Sequence, residues 1–263
     1  MTDRRRQTGL SLVELLVVIS TATLLIGLLL PSLGAARHQA KRTLCLSNLR
    51  QMALAAQTYS ATYDDHYPIA YHTDRVNGVR RYLAWDFNTW KDWSGAEPVE
   101  RVEPGLLWMG RTIEKIQQCP VFEGPANWHA DPYTGYNYNT SYIGRNETIE
   151  PVGSARTDEV RRPAQTALFG DGEYTGGANK FMRAPFSNPR DASFSDAFRH
   201  AGVQGFRHLG ATNVAFCDGH ARFLRDVHTN TDPVSRDILE QHNETNGNQI
   251  GFLSVGNALY DLK

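Results

Sequence analysis

The feature that most constrains this chain is an uncharged stretch of 22 residues, Leu15 to Ala36, that follows a single carboxylate at Glu14. About 20 apolar residues suffice to cross the hydrocarbon of a bilayer as a helix. Arg4, Arg5 and Arg6 stand ahead of the stretch, and Gly9-Leu10-Ser11-Leu12-Val13 joins this basic leader to the carboxylate. A charge at the edge of such a run is costly in lipid and needs a partner. A secretory signal peptide has a basic start, an apolar core of about 7–15 residues and a small-residue cleavage site. Gly34-Ala35-Ala36 supplies the last of these, but the run is too long and Glu14 interrupts its start. A plain single-pass anchor fits the length and accounts for neither Gly9 nor Glu14.

At 263 residues and 41% apolar content, the chain can bury a core outside that segment. The formal net charge is −1. Removing the first nine residues takes away three Arg and one Asp, which leaves 24 basic and 27 acidic residues, or −3. No concentrated positive field exists, so nucleic acid is not an expected partner. Positive charge does not fix orientation, because Arg37, Lys41 and Arg42 match the arginines on the other side. The three cysteines, Cys45, Cys119 and Cys217, are odd in number and show no CxxC spacing, which argues against a structural zinc site. One disulfide is open to such a chain in an oxidising compartment. Cys45 with Cys119 is the preferred pair, and Cys217 reads as a buried small residue beside a turn.

Helical patterning continues beyond Pro31, which cannot donate a backbone hydrogen bond and is expected to kink the helix. Cys45, Leu49, Met52, Ala56, Tyr59 and Tyr63 step by three and four residues and form one apolar stripe. Arg42, Asn48, Arg50, Gln51 and Gln57 lie mostly off it. The pattern fades at Asp64-Asp65-His66-Tyr67-Pro68. A helix from about Leu12 to Tyr63 would be roughly 78 Å long. Residues 69–150 show no long helical period, with one short helix expected at Leu106-Leu107-Trp108-Met109. Tyr133 to Tyr142 (YTGYNYNTSY) reads as a structured loop over the sheet, with a sugar-binding surface as the alternative. Gln165 to Phe169 reads as a buried strand ending in a turn at Asp171-Gly172. Asn213–Cys217 and His220–Leu224 flank Asp218-Gly219 as a hairpin, for which a type I′ turn is expected. A helix is expected at Asp232–His242, and the tail from Ile250 to Lys263 is left between a last strand and a loose end.

The amino-terminal residues Gly9 to Ile19 (GLSLVELLVVI) resemble the class III processing signal of type IV prepilins and type II secretion pseudopilins. The resemblance implies cleavage by a prepilin peptidase after Gly9 and methylation of the new amino terminus at Leu10, where Phe is commoner in the family. Glu14 then stands fifth in the mature chain. In that family this glutamate faces the amino-terminal nitrogen of a neighbouring subunit, which gives the charge its partner. Pro31 falls where many pilin-like chains carry a proline. The implied partners are the peptidase, other pilin-like subunits and the cytoplasmic membrane. The implied location is that membrane, crossed once, with the head on the periplasmic or extracellular side.

His208, nine intervening residues and Asp218-Gly219, with Arg207 and His220 alongside, resemble the carboxy-terminal His-x9-Asp-Gly motif of a large family of pilin-like proteins of undefined role. Cys45 to Gln51, Tyr67-Pro68, Cys119-Pro120 and Phe169-Gly170-Asp171 match that family's layout. Asp171, His208, Asp218 and His220 are metal-ligand types, but turn chemistry alone accounts for Asp218-Gly219 and for Asp171-Gly172. No cofactor is expected. Calcium is the one ion the pseudopilin resemblance brings in, through Asp171 to Gly177, and that segment supplies only two carboxylates where calcium takes six to eight oxygens. No GxSxG, P-loop, HExxH or GxGxxG run occurs.

The expected fold is α+β and pilin-like: a long kinked amino-terminal helix, transmembrane in its first half, packed on an antiparallel β-sheet head. Residues 1–9 form the leader, 10–63 the transmembrane and stalk helix, and 64–263 the head. The expected function is structural, as a pseudopilin or minor pilin, and not enzymatic. Its rivals are a membrane-anchored extracytoplasmic binding protein using the same export signal, and a metal-dependent enzyme built on His208 and Asp218.

Overall fold

The computed structural model describes residues 11–95, 99–111, 115–125, 131–145, 153–189, 191 and 195–263. The chain divides into two units, residues 1–41 and 42–263. Helix α1 (Leu12–Thr62) is continuous through Pro31. Within the first unit every described residue is exposed, including Leu15, Val17, Leu24, Ile26 and Leu29. Such a face is long and apolar enough to cross a membrane.

From Arg42 the same helix acquires one buried side. Cys45, Leu49, Met52 and Ala56 are fully buried, as the stripe requires, while Tyr59 is half-buried and Tyr63 exposed. Two residues assigned off the stripe are buried with it. Arg42 lays its guanidinium 3.6 Å over the Phe223 ring, and Asn48 donates to the Tyr136 hydroxyl at 3.3 Å. A long cation can be buried this way when an aromatic face replaces its water.

The head begins with a four-stranded antiparallel meander, β1 (Tyr71–Val76), β2 (Val79–Ala84), β3 (Phe87–Asp92) and β4 (Val99–Pro104). Asn77 and Gly78 both take positive φ between β1 and β2, the two-residue hairpin that an Asn-Gly pair favours. Leu106–Trp108 is a single 3-10 turn where a short helix is expected. The remaining strands are β5 (Asn137–Asn139), β6 (Ala167–Gly170), β7 (Gly172–Glu173), β8 (Phe181–Met182), β9 (Val203–Gly205), β10 (Thr212–Phe216), β11 (Ala221–Leu224) and β12 (Ile250–Gly251). They form one sheet in the order β11-β10-β6-β5-β8 and a second in the order β12-β9-β7. All pairings are antiparallel except β5 with β8. Helix α2 (Pro233–Thr245) starts at Asp232, whose carboxylate accepts from the amides of Val234 and Ser235. The tail docks: Ile250–Gly251 adds to β9, and the buried Tyr260 hydroxyl accepts from the Leu253 amide at 2.8 Å.

The aromatic tract corrects the expectation of a surface loop. Its centre is β5, inside the five-stranded sheet, and Tyr138 is fully buried. The Trp85, Tyr138 and Phe169 rings lie 5.0–5.6 Å apart, and the Tyr138 hydroxyl donates to the Pro68 carbonyl. Tyr136 and Tyr138 therefore present no sugar-binding face.

Lys180 sits between Asp86 and Asp131, 2.7 Å from a carboxylate oxygen of each. Burial, then repulsion from Asp86, pushes the Asp131 carboxyl up to about 7. The folded value lies above the ordinary aspartate value of about 4. The folded state therefore keeps a proton that the unfolded chain has lost, and this residue's contribution falls as pH rises from about 4 to about 7. Asp131→Asn, which leaves the Lys180–Asp86 pair in place, is expected to flatten that fall. Thermal unfolding of the full chain across this pH range measures it; parallel curves for variant and wild type would show that Asp131 does not titrate there.

Candidate functional site

Two regions carry the candidate residues. At the amino terminus, Gly9 and Leu10 lie outside the described residues. Glu14 lies within them and reaches back along its own helix. Its Oε2 accepts from the Ser11 amide and from the Ser11 hydroxyl, each at 2.8 Å, while Ser11 Oγ accepts from the Glu14 amide at 3.2 Å. This reciprocal arrangement is a capping box, which the Ser-x-x-Glu spacing encodes and which sequence reading overlooked. In the isolated chain, then, the carboxylate satisfies the start of α1.

The second region is buried in the head. Asp171 follows β6 and precedes β7, so the chain passes from one sheet to the other at this residue. The turn expected at Asp171-Gly172 is absent, and the Asp171 side chain is fully buried. Its Oδ1 accepts from Cys45 Sγ at 3.1 Å, and its Oδ2 accepts from the Asn213 amide at 2.6 Å. Arg207 Nη2 lies 3.6 Å from Oδ1, and His208 Nε2 lies 3.4 Å from Oδ2. Cys119 completes the group, with its Sγ 3.6 Å from His208 Nε2 and 3.4 Å from the donating Arg207 Nε. Cys45 and Cys119 thus meet, as their proposed pairing requires, but as free thiols.

Arg207 organises the rim of this cluster. It donates to the Gly135 carbonyl and to the Gly172 carbonyl, and pairs with Glu173 at 2.9 Å. Gly205 makes the pairing fit, because a Cβ there would overlap both the Glu173 carboxylate and the Arg207 guanidinium. Asp171 and Glu173, the two carboxylates of the calcium-like segment, both face this guanidinium.

Electrostatics divide the two thiols. Burial, reinforced by Cys119 and the Asp171 charge, drives the Cys45 thiol up. Burial opposes ionisation of Cys119 as well, but hydrogen bonding with Cys45 and the charges of Arg207 and His208 bring it well down. His208 loses protons more readily through burial, yet hydrogen bonds to Asp171 and Cys119 carry it up to about 9. Burial also works against the Arg207 charge, and Cys119, Asp171 and Glu173 overcome it. The cluster thus holds Cys45 toward its neutral form and Cys119 toward its thiolate, and favours the cationic forms of Arg207 and His208.

The His-x9-Asp-Gly spacing follows from the course of β10. His208 donates its amide to the Ala211 carbonyl across Leu209-Gly210, both at positive φ, so it stands at the turn that opens the strand. Asp218-Gly219 stands at the turn that closes it. There the Gly219 amide donates to the Phe216 carbonyl, and Gly219 has φ +91° while Asp218 does not take positive φ. The expected type I′ turn is replaced by a longer loop ending in a left-handed glycine. Asp218 Oδ1 accepts from the His220 amide and meets His220 Nδ1 at 2.6 Å, and the His220 ring stacks on Phe216. Asp218 and His220 therefore serve the turn, and only Asp171 and His208 of the four sequence candidates enter the buried cluster. Cys45 and Cys119 are the members that the spacing argument set aside.

Residues 34–145 match the sequence model of a family described as a protein of unknown function (DUF1559). The match covers Cys45 and Cys119 and stops short of Asp171, Arg207 and His208. No solved structure matches the chain.

Removing Arg207 strands the Glu173 carboxylate without its cation and leaves Asp171 with His208 as its one cation among the described residues. Arg207→Leu is expected to cost about 3–5 kcal/mol of unfolding free energy, the usual result of breaking a buried ion pair from one side. Urea denaturation of the full chain gives the value, and a loss below about 1 kcal/mol would mean that other groups hold the cluster.

Proposed function

We propose that this chain is a structural subunit of a pilin-like filament, a pseudopilin or minor pilin, made as a precursor and cut by a prepilin peptidase after Gly9. The observation that carries this reading is the first half of α1, whose residues are apolar on every side and exposed throughout, with one carboxylate near the start. A helix apolar all round needs lipid or other helices against it. In the proposed cycle it has both in turn: it sits in the cytoplasmic membrane as a single span, and then packs beside identical or related helices. Van der Waals contact between helices replaces contact with acyl chains at little net change. The register then has to come from a polar contact. Glu14 supplies it by pairing with the amine that cleavage frees at Leu10 of a neighbour.

The capping box gives Glu14 a second use, and the two are separable. Glutamine retains a capping box and loses the charge. Glu14→Gln is therefore expected to keep α1 capped and the chain processed, yet to fall out of the filament as fully as Glu14→Ala. Intact mass of each mature protein reports cleavage and methylation at Leu10. Immunoblots of sheared surface material against membranes report incorporation. Normal incorporation of the glutamine variant would remove the charge from the assembly role and leave only the cap.

A further inference from the structure

The buried cluster has the composition and the dimensions of a metal centre. Cys45, Cys119, Asp171 and His208 each offer one ligand atom, all four atoms lie within 4.8 Å of one another, and all four residues are buried. They arrive from four separate places in the fold: helix α1, the loop before Cys119-Pro120, the link between β6 and β7, and the turn that opens β10. Zinc bonds of about 2.0–2.2 Å to nitrogen and oxygen and about 2.3 Å to sulfur set tetrahedral edges of roughly 3.3–3.8 Å. The separations here are 3.1 Å for Cys45 Sγ to Asp171 Oδ1, 3.4 Å for Asp171 Oδ2 to His208 Nε2, and 3.6 Å for His208 Nε2 to Cys119 Sγ. Three of the contacts are thus close to a tetrahedral edge, taking either oxygen of the Asp171 carboxylate, and all four ligand atoms lie within 4.8 Å of one another.

We propose that these four side chains bind one divalent cation of the zinc class as a closed structural site. Two sulfurs with one imidazole favour a borderline-soft ion over calcium or magnesium, which take oxygen. Four protein ligands leave no open position for a substrate, so the ion cross-links and does not catalyse. Charge is accommodated as well. A dication with two thiolates and one carboxylate carries −1, and the Arg207 guanidinium, already donating to Cys119 Sγ and 3.6 Å from Asp171, offsets it. Binding displaces two protons, the one that Cys45 directs at Asp171 and the one that His208 holds on Nε2. His208 Nδ1 is buried and has no hydrogen-bond partner among the described residues, so an enclosed water has to accept from it once Nε2 is on the metal. The proposal gives the histidine of the His-x9-Asp-Gly motif a task distinct from that of its Asp-Gly end, and it stands independently of filament assembly.

The test uses the full-length protein extracted in detergent without chelator. Elemental analysis is expected to find about one zinc per chain. Chelation should lower the unfolding temperature, and zinc, but not magnesium, should restore it. Cobalt(II) loaded in place of zinc should show a thiolate-to-metal charge-transfer band, roughly halved in Cys119→Ser, which keeps only the Cys45 sulfur. If that variant does not fold, stripping and reloading of the wild type decides alone. The proposal is overturned if the reduced, reloaded protein holds no metal and gains no stability. It is equally overturned if the protein as isolated is two hydrogens lighter than its sequence, with Cys45 and Cys119 refractory to alkylation until reduced.

Discussion

A carboxylate with no exposure to solvent is the constraint around which the head is arranged. Asp171 loses its hydration entirely, and a buried charge survives only when partners surround it. Those partners come from distant places in the second unit. Helix α1 sends Cys45, β10 sends the Asn213 amide, and the segment between β9 and β10 sends Arg207 and His208. None of these can slide by a residue without leaving a charge unpaired. The cluster thus fixes the register of α1 on the sheets at the same point where the chain crosses from β6 to β7. The apolar stripe on α1 adds buried area, with Cys45, Leu49, Met52 and Ala56 fully enclosed, but area alone does not choose a register.

The same logic explains why a sequence motif can join residues with unlike tasks. His208 and Asp218 are separated by one strand with a turn at each end. The strand alternates its faces with period two, and its length is set by pairing with β6 and β11. One turn aims its residue into the cluster, and the other is held outside by Gln57 of α1, which donates to the Cys217 carbonyl. Inserting a residue in β10 would flip its side chains and pull His208 away from Asp171. The fixed spacing is the length of a strand, not the reach of a single site.

Much of this was legible in the sequence, and the failures share a cause. The long helix, its stripe, the hairpin after β10 and the capped helix at Asp232 depend on local periodicity and turn chemistry, which a sequence displays directly. The four-stranded meander was missed although Asn77-Gly78 marks its first turn, because its strands mix charges with aromatics and alternate poorly. The mixed aromatic and polar tract that holds β5 reads as a loop over the sheet, and Asn137 and Asn139 are poor strand formers. In the fold their amides are satisfied at a distance, Asn137 by the Val203 carbonyl and Asn139 by those of Ala167 and Tyr260. Asp171-Gly172 looked like a turn for the same reason that Asp218-Gly219 is one. Only the tertiary partners of Asp171 distinguish the two. The cysteines were judged by the spacing between them, a test that works when ligands share a knuckle and fails when they come from distant elements.

The two sulfurs of the cluster admit two forms of cross-link, and these exclude each other. Oxidation would join Cys45 to Cys119 and withdraw both from any metal, whereas a bound ion would hold both as thiolates and protect them from oxidation. Either bond would act at the same place, because Arg42 and Cys45 are the first residues of α1 to be buried. On the proposed filament reading, a load on the apolar half of α1 reaches the head through this first buried turn. Each dispersion contact there is worth only about 0.1–0.2 kcal/mol, whereas a covalent or coordinate bond is a single strong link. A head drawn along by its helix is therefore best fastened at Cys45. Deeper fastening, at Met52 or Ala56, would leave the first turn free to peel.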